Sequence, residues 1–136
     1  MFAIRSLEPM LTTIQITAGK TKLQAQLNDC PTAQAILKAL PIRAKGNRWG
    51  GEIYFAIPVD AQLEPANSRN VLQAGELAYW APGSAFCIFF GETPASKENE
   101  IKIASDFIII GKITDNVSAL WKMEDGAKVV IEKGEQ

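Results

Sequence analysis

Residues 75–94 read GELAYWAPGSAFCIFFGETP. The two apolar runs in this stretch, 76–80 and 85–90, are joined by Ala81-Pro82-Gly83-Ser84, a composition that turns a chain back on itself. The stretch therefore predicts a β-hairpin. Tyr79, Trp80, Phe86, Phe89 and Phe90 all fall within it. By strand alternation about half of these rings must enter a core, while the others face a second surface.

Working outward, period-two patterning predicts further strands at 52–57 and, weaker, at 42–47 on one side, and at 106–113 and 127–132 on the other. Near the N-terminus, 12–17 and 20–27 alternate through Ile14 and Ile16, then Leu23, Ala25 and Leu27, with Ala18-Gly19 as the turn between them. One helix is predicted where Ala33, Ile36, Leu37 and Leu40 share a face; Asn28 and Asp29 are its expected caps, Pro31 suits its first turn and Pro41 stops it. A short second helix is predicted over 117–123, capped by Asn116. These eight strands and two helices leave too few crossovers for a parallel sheet. The expected fold is mainly β, a closed eight-stranded antiparallel barrel with two flanking helices. Segments 58–74 and 91–100 read as loops, residues 1–11 as an N-terminal extension and 12–136 as a single domain.

The chain has 136 residues, 47% hydrophobic and 21% charged, enough apolar content for one folded core. Its 14 basic and 15 acidic residues give a net charge of −1, and no basic run offers a phosphate backbone a surface, so nucleic acid is not an expected partner. Histidine is absent. That removes every triad built on imidazole and every His metal site, and Cys30 and Cys87 alone cannot complete a zinc site, so no metal and no cofactor are expected. The two thiols read as buried side chains or as a disulfide. No run reaches the length of a membrane span and 1–10 do not read as a signal sequence, which gives a cytoplasmic expectation with no membrane partner.

Unusual residues concentrate in Arg43, Lys45, Arg48, Trp49, Gly50, Gly51, Glu52 and Tyr54. They can wall a pocket, or they can be a turn before a strand with its charges in solvent. The Trp49-Gly50-Gly51-Glu52 run lacks the ending of a phosphate-binding loop. Glu52 with Glu76 or Asp106 would be needed for a carboxylate acid–base pair, and nothing in the spacing brings two of them together.

Three segments in register resemble the cyclophilin family of peptidyl-prolyl isomerases. Gly75-Glu76-Leu77-Ala78 followed by Gly83-Ser84-Ala85-Phe86-Cys87-Ile88 is similar to the cyclophilin hairpin, Phe107 to Ile113 to its G-K-V strand, and Trp49-Gly50-Gly51-Glu52 to its Q-G-G-D. The run from Trp49 to Phe55, the Tyr79 to Gly83 turn and Phe89 to Pro94 resemble more closely a subgroup of small bacterial and archaeal cyclophilin-like proteins of unassigned activity. The resemblance implies the cyclophilin-like barrel. It also implies that the isomerase set is largely replaced: Trp49 stands at the Gln position, Cys87 at the groove Phe, Phe107 at the His, and the Trp position falls near Lys102. Arg43 lies in the strand that carries the family's Arg, whereas the ungapped register places Pro41 there.

Three functions fit these residues. In the first, a remodelled groove walled by Arg43, Trp49, Glu52, Tyr54, Phe86 and Phe107 binds a small molecule or a proline-containing, extended peptide. In the second, the protein is a weak peptidyl-prolyl cis-trans isomerase using Arg43, since rotation about an X-Pro bond needs no proton transfer. In the third, Glu52 is a catalytic base and Arg43 or Arg48 holds an anionic substrate.

Overall fold

The computed structural model describes residues 11–62, 64–93 and 101–134, with side chains for all of these except 70 and 102–106. Residues 1–10 of the expected extension and 94–100 of the second expected loop lie outside the described residues. Ten strands form one antiparallel sheet: β1 (Thr12–Ala18), β2 (Thr21–Leu27), β3 (Ile42–Lys45), β4 (Asn47–Trp49), β5 (Glu52–Ala56), β6 (Ser68–Leu72), β7 (Glu76–Trp80), β8 (Ala85–Phe89), β9 (Ile101–Ile113) and β10 (Lys128–Lys133). The path around the sheet is β3-β10-β1-β2-β9-β7-β8-β5-β4, and β6 joins β9 off this path. Its two end strands, β3 and β4, are consecutive in the chain with only Gly46 between them. The barrel is therefore nearly closed, because one bent stretch pairs with β10 through its first half and with β5 through its second.

Gly46 is the bend. Its N–H donates to the Ala127 carbonyl oxygen at 2.8 Å and its carbonyl accepts from Gly126 N–H at 2.8 Å. A Cβ there would come within 3 Å of Met123, Ile53 and Val129, so only glycine lets the closing strand lie this close to the core. The expected eight strands thus become ten for two reasons. The weak candidate at 42–47 is split at Gly46 into β3 and β4, and β6 lies inside the stretch read as a loop. Strand β9 also starts at Ile101, five residues before its predicted beginning.

The one α-helix, α1 (Pro31–Ala39), is capped by Cys30 rather than by Asn28 or Asp29: its thiol sulfur accepts from Ala33 N–H at 3.4 Å. Glu64 reaches in from the long segment before β6 and accepts from both the backbone N–H and the hydroxyl of Thr32, which ties that segment to the helix start. The second predicted helix is present as a 3-10 helix over Val117–Lys122, with Asn116 Oδ1 accepting from Ser118 N–H at 2.8 Å. Cys30 and Cys87 are both free and buried, which settles the disulfide alternative. No helix among the described residues is long and apolar enough to cross a membrane.

Alternation sends Ile14, Ile16, Phe55, Leu77, Phe86 and Ile88 into the barrel, where Ala33 and Ile36 of α1 join them. Tyr79 is also fully buried there, and its hydroxyl donates to the Val59 carbonyl at 2.6 Å and accepts from Ala61 N–H at 3.1 Å. Tyr79→Phe strands both partners without adding volume, so it is expected to lower stability by about 1–3 kcal/mol in urea unfolding. A loss below about 0.5 kcal/mol would mean that water replaces the hydroxyl. Strand β8 is buried along its whole length, on both faces. Its outer side, Ala85, Cys87 and Phe89, forms a second apolar cluster with Ala78 of β7, Leu72 of β6, and Ile101 and Phe107 of β9. A strand buried on two sides carries the near-continuous apolar run seen at 85–90.

Candidate functional site

The site is built where β4 meets β5. Trp49-Gly50-Gly51-Glu52 is a two-residue hairpin loop, with positive φ (59°) at Gly50 and not at Gly51, the pattern of a type II′ turn that glycine permits. Gly51 is needed for a different reason. Its N–H donates to the Glu92 carbonyl, its own carbonyl accepts from Phe90 N–H, both at 2.8 Å, and a Cβ on it would lie 2.3 Å from the Gly91 carbonyl carbon. Backbone presses on backbone here, which locks the turn to the end of β8.

The register then fixes what shares the outer face. Trp49 lies across from Glu52, Glu52 across from Phe89, and Tyr54 across from Cys87. Cross-strand partners have their Cβ atoms on the same side, about 4.5–5.5 Å apart. Glu52 is only 6% exposed, whereas Trp49 and Tyr54 are 40% and 37% exposed. The sheet therefore carries a buried carboxyl flanked by two half-open aromatic rings.

Burial pushes the Glu52 carboxyl up to about 7, against a smaller downward pull from its hydrogen bond with the Cys87 thiol. Burial also drives the Cys87 thiol well upward, and the neighbouring Glu52 charge and hydrogen bond add to this. The thiol thus stays protonated and is a hydrogen-bonding partner rather than a nucleophile. Among the described residues no lysine or arginine pairs with Glu52; the ion pair present is Arg69 with Glu76. A cleft of about 530 Å³ opens past the end of β8, lined among others by Leu72, Ala74, Gly91, Glu92 and Ile101 and by none of Trp49, Glu52 and Tyr54. Among the described residues no group of three or more acidic or thiol side chains gathers to hold a metal.

Of the six residues expected at a groove, Trp49, Glu52 and Tyr54 come together. Phe107 belongs to the same outer surface but lies beyond Phe89. Its ring meets Phe89 edge-on at 5.6 Å and stacks on Trp80 at 6.2 Å, covering the small side chains of Ala78, Ala85 and Cys87. Phe86 points the other way, into the barrel, stacked on Phe55 at 5.5 Å. Arg43 sits on β3 opposite Val130, exposed, and six residues before Trp49 along the bent strand, up to about 20 Å away at a strand's rise per residue.

Arg48 is committed internally. Its guanidinium donates to the carbonyls of Gly50 at 2.9 Å and Met123 at 2.7 Å, and lies over the rings of Phe90 and Trp121. Cys87, which the resemblance puts at the groove Phe position, and Phe89, which was not expected there, complete the face. The alternation of β8 was the available signal, but which strand would neighbour it was not readable.

A family model described as cyclophilin-like matches residues 12–132. The chain belongs to the cyclophilin-like family. The solution structure of a hypothetical protein from Archaeoglobus fulgidus is similar to it at 37% identity and a TM-score of 0.79, covering 96% of this chain and all of that one. No curated protein matches the chain. On this cyclophilin-like barrel, the positions that resemble the isomerase's Gln and groove Phe, Trp49 and Cys87, fall on the one outer face that also holds Glu52.

Proposed function

We propose that the outer face of β4, β5 and β8 binds a small molecule or an extended peptide, with Trp49 and Tyr54 as its aromatic walls and Glu52 as its polar anchor. The observation that carries this reading is Glu52 itself. An ionisable group held in an apolar surface without a countercharge opposes folding, and such groups concentrate at functional sites. Arg43 and Phe86 fall outside the proposed site, one on β3 where it pairs with β10 and the other pointing into the barrel.

The isomerase alternative draws less support from this geometry. Cys87 at the groove position is packed in an apolar cluster with Phe107, and Arg43 lies on β3, paired with β10 rather than with the strands of this face. The full chain can be titrated with a proline-containing tetrapeptide and a panel of small neutral and charged organic probes, following the Trp49 indole and Tyr54 ring resonances. At least one probe is expected to shift both with a Kd of about 1 mM or tighter, a binding energy of about −4 kcal/mol, and Trp49→Ala should abolish the Tyr54 shift. The same tetrapeptide's cis–trans exchange rate is expected to stay at its uncatalysed value. Probes that move only resonances elsewhere would remove the binding reading, and accelerated exchange would restore the isomerase.

A further inference from the structure

We infer that the ligand of this site presents an ammonium group, an aliphatic amine whose cation pairs with the Glu52 carboxylate between the faces of Trp49 and Tyr54. The inference rests on the binding reading above and gives it a ligand class. Three observations lead to it. Glu52 is nine-tenths buried, and the partner it has is a thiol, a weak donor that supplies no charge. The two residues that remain open beside it are a tryptophan and a tyrosine, whose ring faces attract cations.

The third is the charge of the surroundings. Strand β4 offers Asn47 and Trp49, with Arg48 drawn away to the carbonyls of Gly50 and Met123. Strand β5 offers Tyr54, β8 offers Cys87 and Phe89, and the segment after β8 carries Glu92, which is engaged in an interaction of its own. No described basic group faces the carboxyl, so an anionic ligand would meet repulsion and a cation would meet the charge it lacks. A buried carboxylate and two ring faces are how proteins commonly hold an ammonium without immersing it in water.

Binding and protonation are then linked. The ammonium binds the ionised carboxyl, so it draws Glu52 downward from near neutrality and releases a proton. Affinity should rise with pH through neutrality and hold until the amine itself loses its proton, near pH 10 for an alkylamine resembling a lysine side chain.

The test uses n-butylammonium, with the neutral isostere butyramide beside it, on the full chain and on Glu52→Gln. The readouts are the Trp49 indole resonance and, in the parent, the Glu52 carboxyl carbon. We expect n-butylammonium to shift both resonances and to bind about tenfold more tightly at pH 8 than at pH 6, the change in ionised Glu52 for a midpoint near 7. Glu52→Gln should lose this binding while keeping a folded amide spectrum. Butyramide binding as tightly as the ammonium, or ammonium binding that ignores both pH and the substitution, would overturn the ligand class and leave the binding site standing. If no probe of any charge moves Trp49 or Tyr54, both inferences fall together.

Discussion

Gly51→Ala is expected to destabilise the protein by about 3 kcal/mol or more, the upper range for forcing atoms into packed space. The reason is that the added methyl meets backbone. Its Cβ would sit 2.3 Å from the carbonyl carbon and 2.4 Å from the carbonyl oxygen of Gly91. Gly91 cannot retreat, since a Cβ built on it would already lie 2.2 Å from the Trp121 ring. To admit the methyl, the turn must separate from β8 and give up the hydrogen bonds to Glu92 and from Phe90. Those bonds hold Glu52 against β8, so any residual binding at Trp49 should vanish with the stability. Gly126→Ala is the control: nothing lies within 4 Å of its Cβ and only its positive φ of 86° opposes the change, a penalty of about 1 kcal/mol. Equal losses in urea unfolding for the two variants would refute the close-approach argument.

The same Gly-Gly pair shows how far the residues alone could lead. The turn was legible from Trp49-Gly50-Gly51-Glu52, since adjacent glycines before an alternating run mark a hairpin. What presses on Gly51 was not, because Gly91 lies in the segment just after β8 and sequence does not show which turn that segment meets. Strand β6 was missed for a related reason. Ser68–Leu72 pairs only with β9 and sits in a stretch rich in Pro, Asn and Ser, so its patterning is weak and the partner that makes it a strand is remote.

The expected groove took in both Phe86, as a wall, and Cys87, at the groove Phe position, although neighbours on one strand face opposite ways. Parity is set by the neighbours, and here Phe55 claims Phe86 for the interior. Arg43 was grouped with Glu52 because the chain between them is short. The bend at Gly46 instead hands Arg43 to β10 and Glu52 to β8. Family resemblance located the fold, while the ionisation of Glu52 depends on burial that only the assembled sheet supplies.

Replacing Glu52 by Gln is expected to stabilise the protein, and by an amount that grows with pH. The carboxyl titrates near 4.5 when solvated and near 7 in the folded chain. Below about pH 4.5 it is protonated in both states and adds no charge penalty. Between those values the unfolded chain ionises while the folded chain keeps its proton, so the folded state loses about 1.4 kcal/mol for each pH unit. Above about pH 7 both states are ionised and the loss levels off at about 3 kcal/mol. Glutamine has no proton to lose and can still hydrogen-bond the Cys87 thiol.

Urea unfolding of the two proteins side by side cancels every other titrating group. The expected difference is near zero at pH 4 and about 3 kcal/mol in favour of Glu52→Gln at pH 8. Parallel profiles would show that Glu52 is solvated or paired with a cation in the free protein, and would remove the basis for a ligand-supplied charge. With the expected divergence, n-butylammonium should narrow the gap at pH 8 by stabilising only the parent, through mass action on the folded state. Destabilisation by this side chain and recognition of a cation then have one origin, a carboxylate that the fold buries and leaves without a countercharge among its described residues.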